Sequence, residues 1–145
     1  MDITSYLLGK NSSGGGGQGE TSLFASTTYL EGTLPIEEIK ASDFPSGITA
    51  IRPYLLYNIA GLKKITIPST ISLLQAEAFR QPSSKTGFDF VSLPTTPPDA
   101  SGFRVFYNFQ PKNIYVPDGS VDAYKSATGW SSFGNSIKPI SELVE

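Results

Sequence analysis

Three segments of the chain share one pattern, an apolar residue, a variable one, a second apolar residue and then proline: Ile65-Thr66-Ile67-Pro68, Val91-Ser92-Leu93-Pro94 and Ile114-Tyr115-Val116-Pro117. Val91 follows Ile65 by 26 residues and Ile114 follows Val91 by 23, while Ile39 precedes Ile65 by 26 and Ile137 follows Ile114 by 23. A period of this length fits one strand plus a returning arm, a unit with too little apolar surface to form a core alone. Strand alternation then directs Ile65, Ile67, Val91, Leu93, Ile114 and Val116 inward, and Thr66, Ser92 and Tyr115 outward along one column. Proline lacks an N–H and biases its predecessor to extended geometry, so it ends pairing at a fixed point after each strand.

The returning arms carry a mark of their own. In residues 69–79, Ile71, Leu74 and the Ala78-Phe79 pair are spaced for burial beneath the next strand, with Phe79 as a core plug. Tyr57 and either Phe106 or Phe109 stand in comparable places, whereas residues 99–109 are irregular. Near the end, Ser120 is a good N-cap and Asp122 a first-turn carboxylate. Val121 and Tyr124 share a face, and Gly129 is a stop before Trp130 folds back. The segment predicts a short helix that closes the last edge.

These features resemble the leucine-rich repeats of the BspA type, in which a strand ending in proline is followed by an apolar-x-x-apolar turn and an Ala-Phe pair. The stretch from Ile65 to Ile71 with Ala78-Phe79 carries the likeness, and the stretch from Ile114 to Trp130 resembles the C-terminal cap of such arrays. The resemblance implies a mainly β fold with short helices: a short leucine-rich-repeat-like solenoid over residues 36–145, with parallel strands and a C-terminal capping helix. The first arm departs from the pattern, with Leu55-Leu56-Tyr57 where Ala-Phe would stand.

Composition removes several functions at once. The 145 residues contain neither Cys nor His, which excludes disulfides, thiolate and histidine metal sites, and catalytic triads built on histidine. The net charge is −2 and the basic residues are scattered, Lys63-Lys64 being adjacent, so no footprint for nucleic acid exists. No cofactor is expected. Asp2 stands where a secretory signal carries positive charge, and Tyr6-Leu7-Leu8 is too short for a signal core or a membrane span, so no membrane insertion is expected. The 14 glycines and 11 prolines favour short strands and tight corners over long helices.

Ahead of the repeat lie three further zones. Residues 1–10 place Ile3, Tyr6, Leu7 and Leu8 together as a docking or anchor peptide. Residues 11–20 are a Gly/Ser-rich linker with four consecutive glycines, and residues 21–35 read as lead-in strands. This layout resembles small virion proteins of bacteriophages infecting Gram-positive hosts, in which a short N-terminal peptide is joined by glycine to a displayed domain. The resemblance implies a non-catalytic virion protein, made in the host cytoplasm and anchored to other virion proteins of the capsid or tail through residues 1–10. Its displayed domain would meet a host-surface glycan or protein, and a trimer is left open. The rival readings are a bacterial surface adhesin or interaction module of the same repeat family, and a carbohydrate-active enzyme.

No set of residues demands catalysis. The run from Gly14 to Gly19 matches a dinucleotide-binding fingerprint literally, but no strand precedes it and no helix follows. Paired carboxylates for glycoside hydrolysis would have to come from Glu37 with Glu38 or Asp118 with Asp122. The first pair points to opposite faces of a strand, and the second is explained by turn and capping roles. The expected binding face is therefore the outward column, with Tyr115 its aromatic member and Lys64, Thr66 and Ser92 beside it.

Overall fold

The computed structural model describes residues 37–44, 46–53, 61–81 and 83–143. The expected anchor, linker and lead-in strands, with Ile3, Tyr6, Leu7, Leu8 and Tyr57, lie outside them.

Five strands make the main sheet: β1 (Glu38–Ile39), β3 (Lys64–Ile67), β5 (Asp89–Ser92), β6 (Asn113–Val116) and β7 (Ile137–Pro139). They pair in that order and every neighbour is parallel. Two short strands, β2 (Ala50–Ile51) and β4 (Leu73–Leu74), pair in parallel as a second layer, which a bridge from Leu73 to Asp99 extends. The core lies between these layers. Ile39, Ile65, Phe90, Ile114 and Ile137 form its central row from the sheet, and Ile51, Leu74, Ala78, Phe79, Val105 and Phe109 come from the opposite side.

This architecture corrects the expected fold class. The chain is an α/β-type fold built on a five-stranded parallel sheet with few helices, not a leucine-rich-repeat-like solenoid. Between successive members of the central row the separation falls steadily, from 26 residues to 25, 24 and 23, so no constant unit recurs. The crossovers also differ in kind. The one from β3 to β5 runs through β4, and the one from β5 to β6 is a succession of turns. The one from β6 to β7 holds a 3-10 turn (Asp118–Ser120), the helix α1 (Val121–Ser126) and a second 3-10 segment (Ser131–Ser136). Parallel strands require a crossover, but they do not require the same one each time.

The inward register of β5 is corrected as well. Phe90 and Ser92, not Val91 and Leu93, continue the inward rows, because Phe90 pairs with Ile65 and Ile114 while Val91 lies between Thr66 and Tyr115. A one-residue slip exchanges every side chain between faces. Phe90 decides the register by burying the larger ring, which meets Phe79, Phe109 and Trp130 at centroid distances of 5.5, 5.9 and 5.8 Å.

Ser92 then faces the core as a buried hydroxyl, and its partner is Tyr124 on α1, 2.9 Å away. The Tyr124 hydroxyl has one proton, which it donates to Pro94 O at 2.6 Å, so Ser92 must be the donor to Tyr124. Ser120 Oγ donates to Thr95 O at 2.7 Å and Trp130 Nε1 to Pro98 O at 2.8 Å. Beyond Leu93, whose N–H still donates to Ile67 O, three of the next five residues are prolines, and these three side chains satisfy the carbonyls of Pro94, Thr95 and Pro98. Ser120 thus sits at the helix N-cap without capping it through its side chain. Gly129 closes the same corner with φ +89°, where an added Cβ would lie 2.3 Å from Ala100 O.

Two outcomes follow for stability. Burial, opposed in part by the Ser92 hydrogen bond, pushes the Tyr124 phenol up to about 12. Above pH about 10 the unfolded chain releases this proton and the folded chain does not. Stability is therefore fully present below that point, and roughly 2–3 kcal/mol is lost by pH about 12. Tyr124→Phe, which abolishes that loss, is expected to cost about 1–3 kcal/mol at neutral pH by orphaning Ser92 and Pro94 O. Urea midpoints of both proteins across this range check the pair. Gly129→Ala should lower stability by about 3 kcal/mol or more, since it combines a left-handed backbone with a clash against main chain.

Candidate functional site

Residues 75–81 and 103–108 run side by side on the face opposite the main sheet. The N–H groups of Glu77, Phe79 and Gln81 donate to the carbonyls of Phe103, Val105 and Tyr107 at 2.9, 3.0 and 3.0 Å. Residues 103–109 carry four aromatic residues in seven positions, and the core takes only some of them. Phe109 is buried and Phe106 half-buried, both stacked on Phe79 at 4.9 and 5.6 Å between centroids. Phe103 and Tyr107 are left outside, 63% and 40% exposed.

Arg104 lies between those two rings. Its guanidinium carbon is 4.7 Å from the centroid of Phe103 and 4.7 Å from that of Tyr107. A second guanidinium, Arg80, stands 5.3 Å from Tyr107 and is paired with Glu77 Oε2 at 2.7 Å. Cation–aromatic contacts of this kind contribute about 0.5–1 kcal/mol each at an exposed site. Together these residues form an amphipathic platform on the surface.

The backbone beneath is held in a costly conformation. Glu77, Arg104 and Asn108 have φ of 61°, 52° and 60°, and all three belong to these two segments. A non-glycine residue there costs on the order of 1 kcal/mol or more, persists only where the surroundings impose it, and is associated with functional sites. Asn108 recovers part of the cost by donating from Nδ2 to Gln81 O at 3.1 Å.

The expected binding face is not assembled. Ser92 is fully buried on the core side of the sheet, so it cannot join Thr66 and Tyr115. Tyr115, expected to be exposed, is only 7% so, because the 3-10 turn Ile140–Glu142 folds back against β6. Its phenol is pushed upward by burial and then by the charges of Asp89 and Glu142. Lys64 and Thr66 are half-buried, and Val91 stands between Thr66 and Tyr115.

The carboxylates considered for catalysis are engaged singly or stand apart. Glu37 is 3.6 Å from Lys63 Nζ, and Asp118 Oδ1 accepts the Ser141 N–H at 3.0 Å. Asp122 occupies the first turn of α1. Among the described residues no group of three or more His, Cys, Asp or Glu is placed to hold a metal ion. Among them, too, no helix is long and apolar enough to cross a membrane. Arg52, 3% exposed, donates from Nη1 to Pro53 O, and its Nε and Nη2 have no partner among the described residues. Burial lowers its pKa. It is one buried cation with no second described polar group converging on it.

The sequence signal for the platform was the crowding of aromatics. Phe103, Phe106, Tyr107 and Phe109 cannot all reach one core from a single short arm, so some must face water with Arg104 among them. A comparison with protein-family models finds no match, and neither does a comparison with curated protein sequences.

Because Arg104 is held at positive φ, Arg104→Gly separates strain from stacking. The variant should retain its stability or gain up to about 1 kcal/mol, since glycine adopts this conformation freely and only exposed cation–aromatic contacts are lost. A urea midpoint clearly below that of the parent protein would mean that Arg104 is there for stability.

Proposed function

We propose that this chain is a non-catalytic structural protein of a bacteriophage virion, anchored by residues 1–10 and binding the host surface through the Phe103–Arg104–Tyr107 platform. The observation that carries the binding part is the platform itself: two exposed rings around a guanidinium, maintained on strained backbone. Stability alone gives no reason to keep large apolar rings in water on a costly loop. Aromatic and arginine side chains are the residues that dominate binding energy where surfaces meet.

The anchoring part rests on the sequence layout, in which Ile3, Tyr6, Leu7 and Leu8 are followed by a glycine-rich stretch. A short apolar peptide on a flexible tether orders on its partner and leaves the domain free to reach outward. The non-enzymatic part is supported by the separate engagements of Glu37 with Lys63 and of Asp118 with the Ser141 N–H, which set neither up as half of a catalytic pair.

Deleting residues 1–10 should leave a folded domain, by its unchanged urea midpoint, that no longer enters particles in an assembly assay. Normal incorporation of the truncated chain would place the anchor elsewhere. Phe103→Ala and Tyr107→Ala should each reduce adsorption of purified protein to host envelopes by about tenfold or more, with stability within about 0.5 kcal/mol of the parent.

A further inference from the structure

We infer that the ligand of the platform is an acidic carbohydrate, whose sugar ring lies on Phe103 or Tyr107 and whose carboxylate or phosphate meets the open edge of Arg104. This inference rests on the reading of the platform as a binding face. A guanidinium carries its five N–H donors in its plane, and rings contacted at 4.7 Å from its carbon take up none of those donors as hydrogen-bond acceptors would. Among the described residues nothing accepts a hydrogen bond from the Arg104 guanidinium and no carboxylate pairs with it. Arg80, by contrast, is bound to Glu77. The platform therefore offers, between two exposed rings, a cation whose anionic partner is still to come.

The geometry selects the class of anion. Arginine matches carboxylate and phosphate through two parallel hydrogen bonds, and aromatic faces accept the apolar side of a flat ring. Phe103, with most of its surface in water, supplies that face immediately beside the cation. A nucleic acid is disfavoured, because a chain of net charge −2 repels a polymer with a charge on every unit. A sugar polymer whose acid groups are spaced by neutral surface meets Arg104 without that penalty.

Titration calorimetry on the full chain tests this, with an oligosaccharide of alternating glucuronate and N-acetylglucosamine, a sparsely phosphorylated oligomannose, a neutral oligo-N-acetylglucosamine of equal length and oligo-dT as probes. At least one acidic oligosaccharide should bind about tenfold or more tightly than the neutral one, and the stronger of the two identifies carboxylate or phosphate as the anion. Arg104→Gln should reduce that binding about tenfold or more, Arg104→Lys should restore it in part, and Phe103→Ala should reduce it as well. Equal binding of the neutral sugar, tighter binding of oligo-dT, failure of both acidic sugars to bind, or indifference to Arg104→Gln would each overturn the inference. Adsorption to host envelopes keeps the two readings apart. If Phe103→Ala abolishes adsorption while Arg104→Gln leaves it unchanged, the platform is a binding face for a ligand that is not acidic. If neither variant affects adsorption, the platform is not the binding face.

Discussion

The structure depends on the lateral alignment of one inward row across the parallel sheet: Ile39, Ile65, Phe90, Ile114 and Ile137. Main-chain pairing fixes the order of the strands, but it is the burial of this row that fixes their register. Shifting a strand by one residue would carry its core members to the other face and bring a polar neighbour such as Lys64, Thr66, Tyr115 or Lys138 into the row, or, in β5, the smaller Val91. Each fully buried member contributes about 1.5–3 kcal/mol, so a slipped strand forfeits more than its hydrogen bonds could restore. The crossovers are free to differ in length and content because only this row must coincide.

One consequence of that freedom is the placement of polar chemistry. With Phe90 in the row, Ser92 has to face inward, and a buried hydroxyl needs a partner. Tyr124 meets that need and simultaneously engages Pro94 O, while Ser120 and Trp130 hold Thr95 O and Pro98 O. The helix α1 is too short to be stable alone and is held by its side chains, not by its length. On the opposite side the same freedom lets residues 103–108 turn through left-handed conformations and present Phe103, Arg104 and Tyr107 outward.

How much of this was legible in the sequence varies with the kind of interaction. The positions of β3 and β6, their inward residues and the burial of Ile71, Leu74, Ala78, Phe79 and Trp130 follow from alternation and spacing. The β5 register was not legible, because Val91-Ser92-Leu93-Pro94 imitates its neighbours and the competing fit of Phe90 is a matter of three-dimensional volume. The uniform repeat fails for a related reason: similar strands do not imply similar crossovers. Tyr115 lost its exposure to a segment that returns from the end of the chain, a contact that no local pattern encodes. The platform was not legible because the repeat pattern gives Phe79 and one of Phe106 and Phe109 a core place but leaves Phe103 and Tyr107 with none.

The capture of residues 93–98 by Ser120, Tyr124 and Trp130 also sets an order in time. Chains emerge from the ribosome N-terminus first, so the proline-rich run is made about 25–35 residues before the side chains that bind its carbonyls. Until then Ser92 of β5 lacks its polar partner, and the loop is held at its ends by Leu93 and Asp99 while the carbonyls of Pro94, Thr95 and Pro98 wait for theirs. The last quarter of the chain therefore acts as the step that commits the domain to its fold, and a nascent chain stalled before α1 would remain a substrate for cellular proteases.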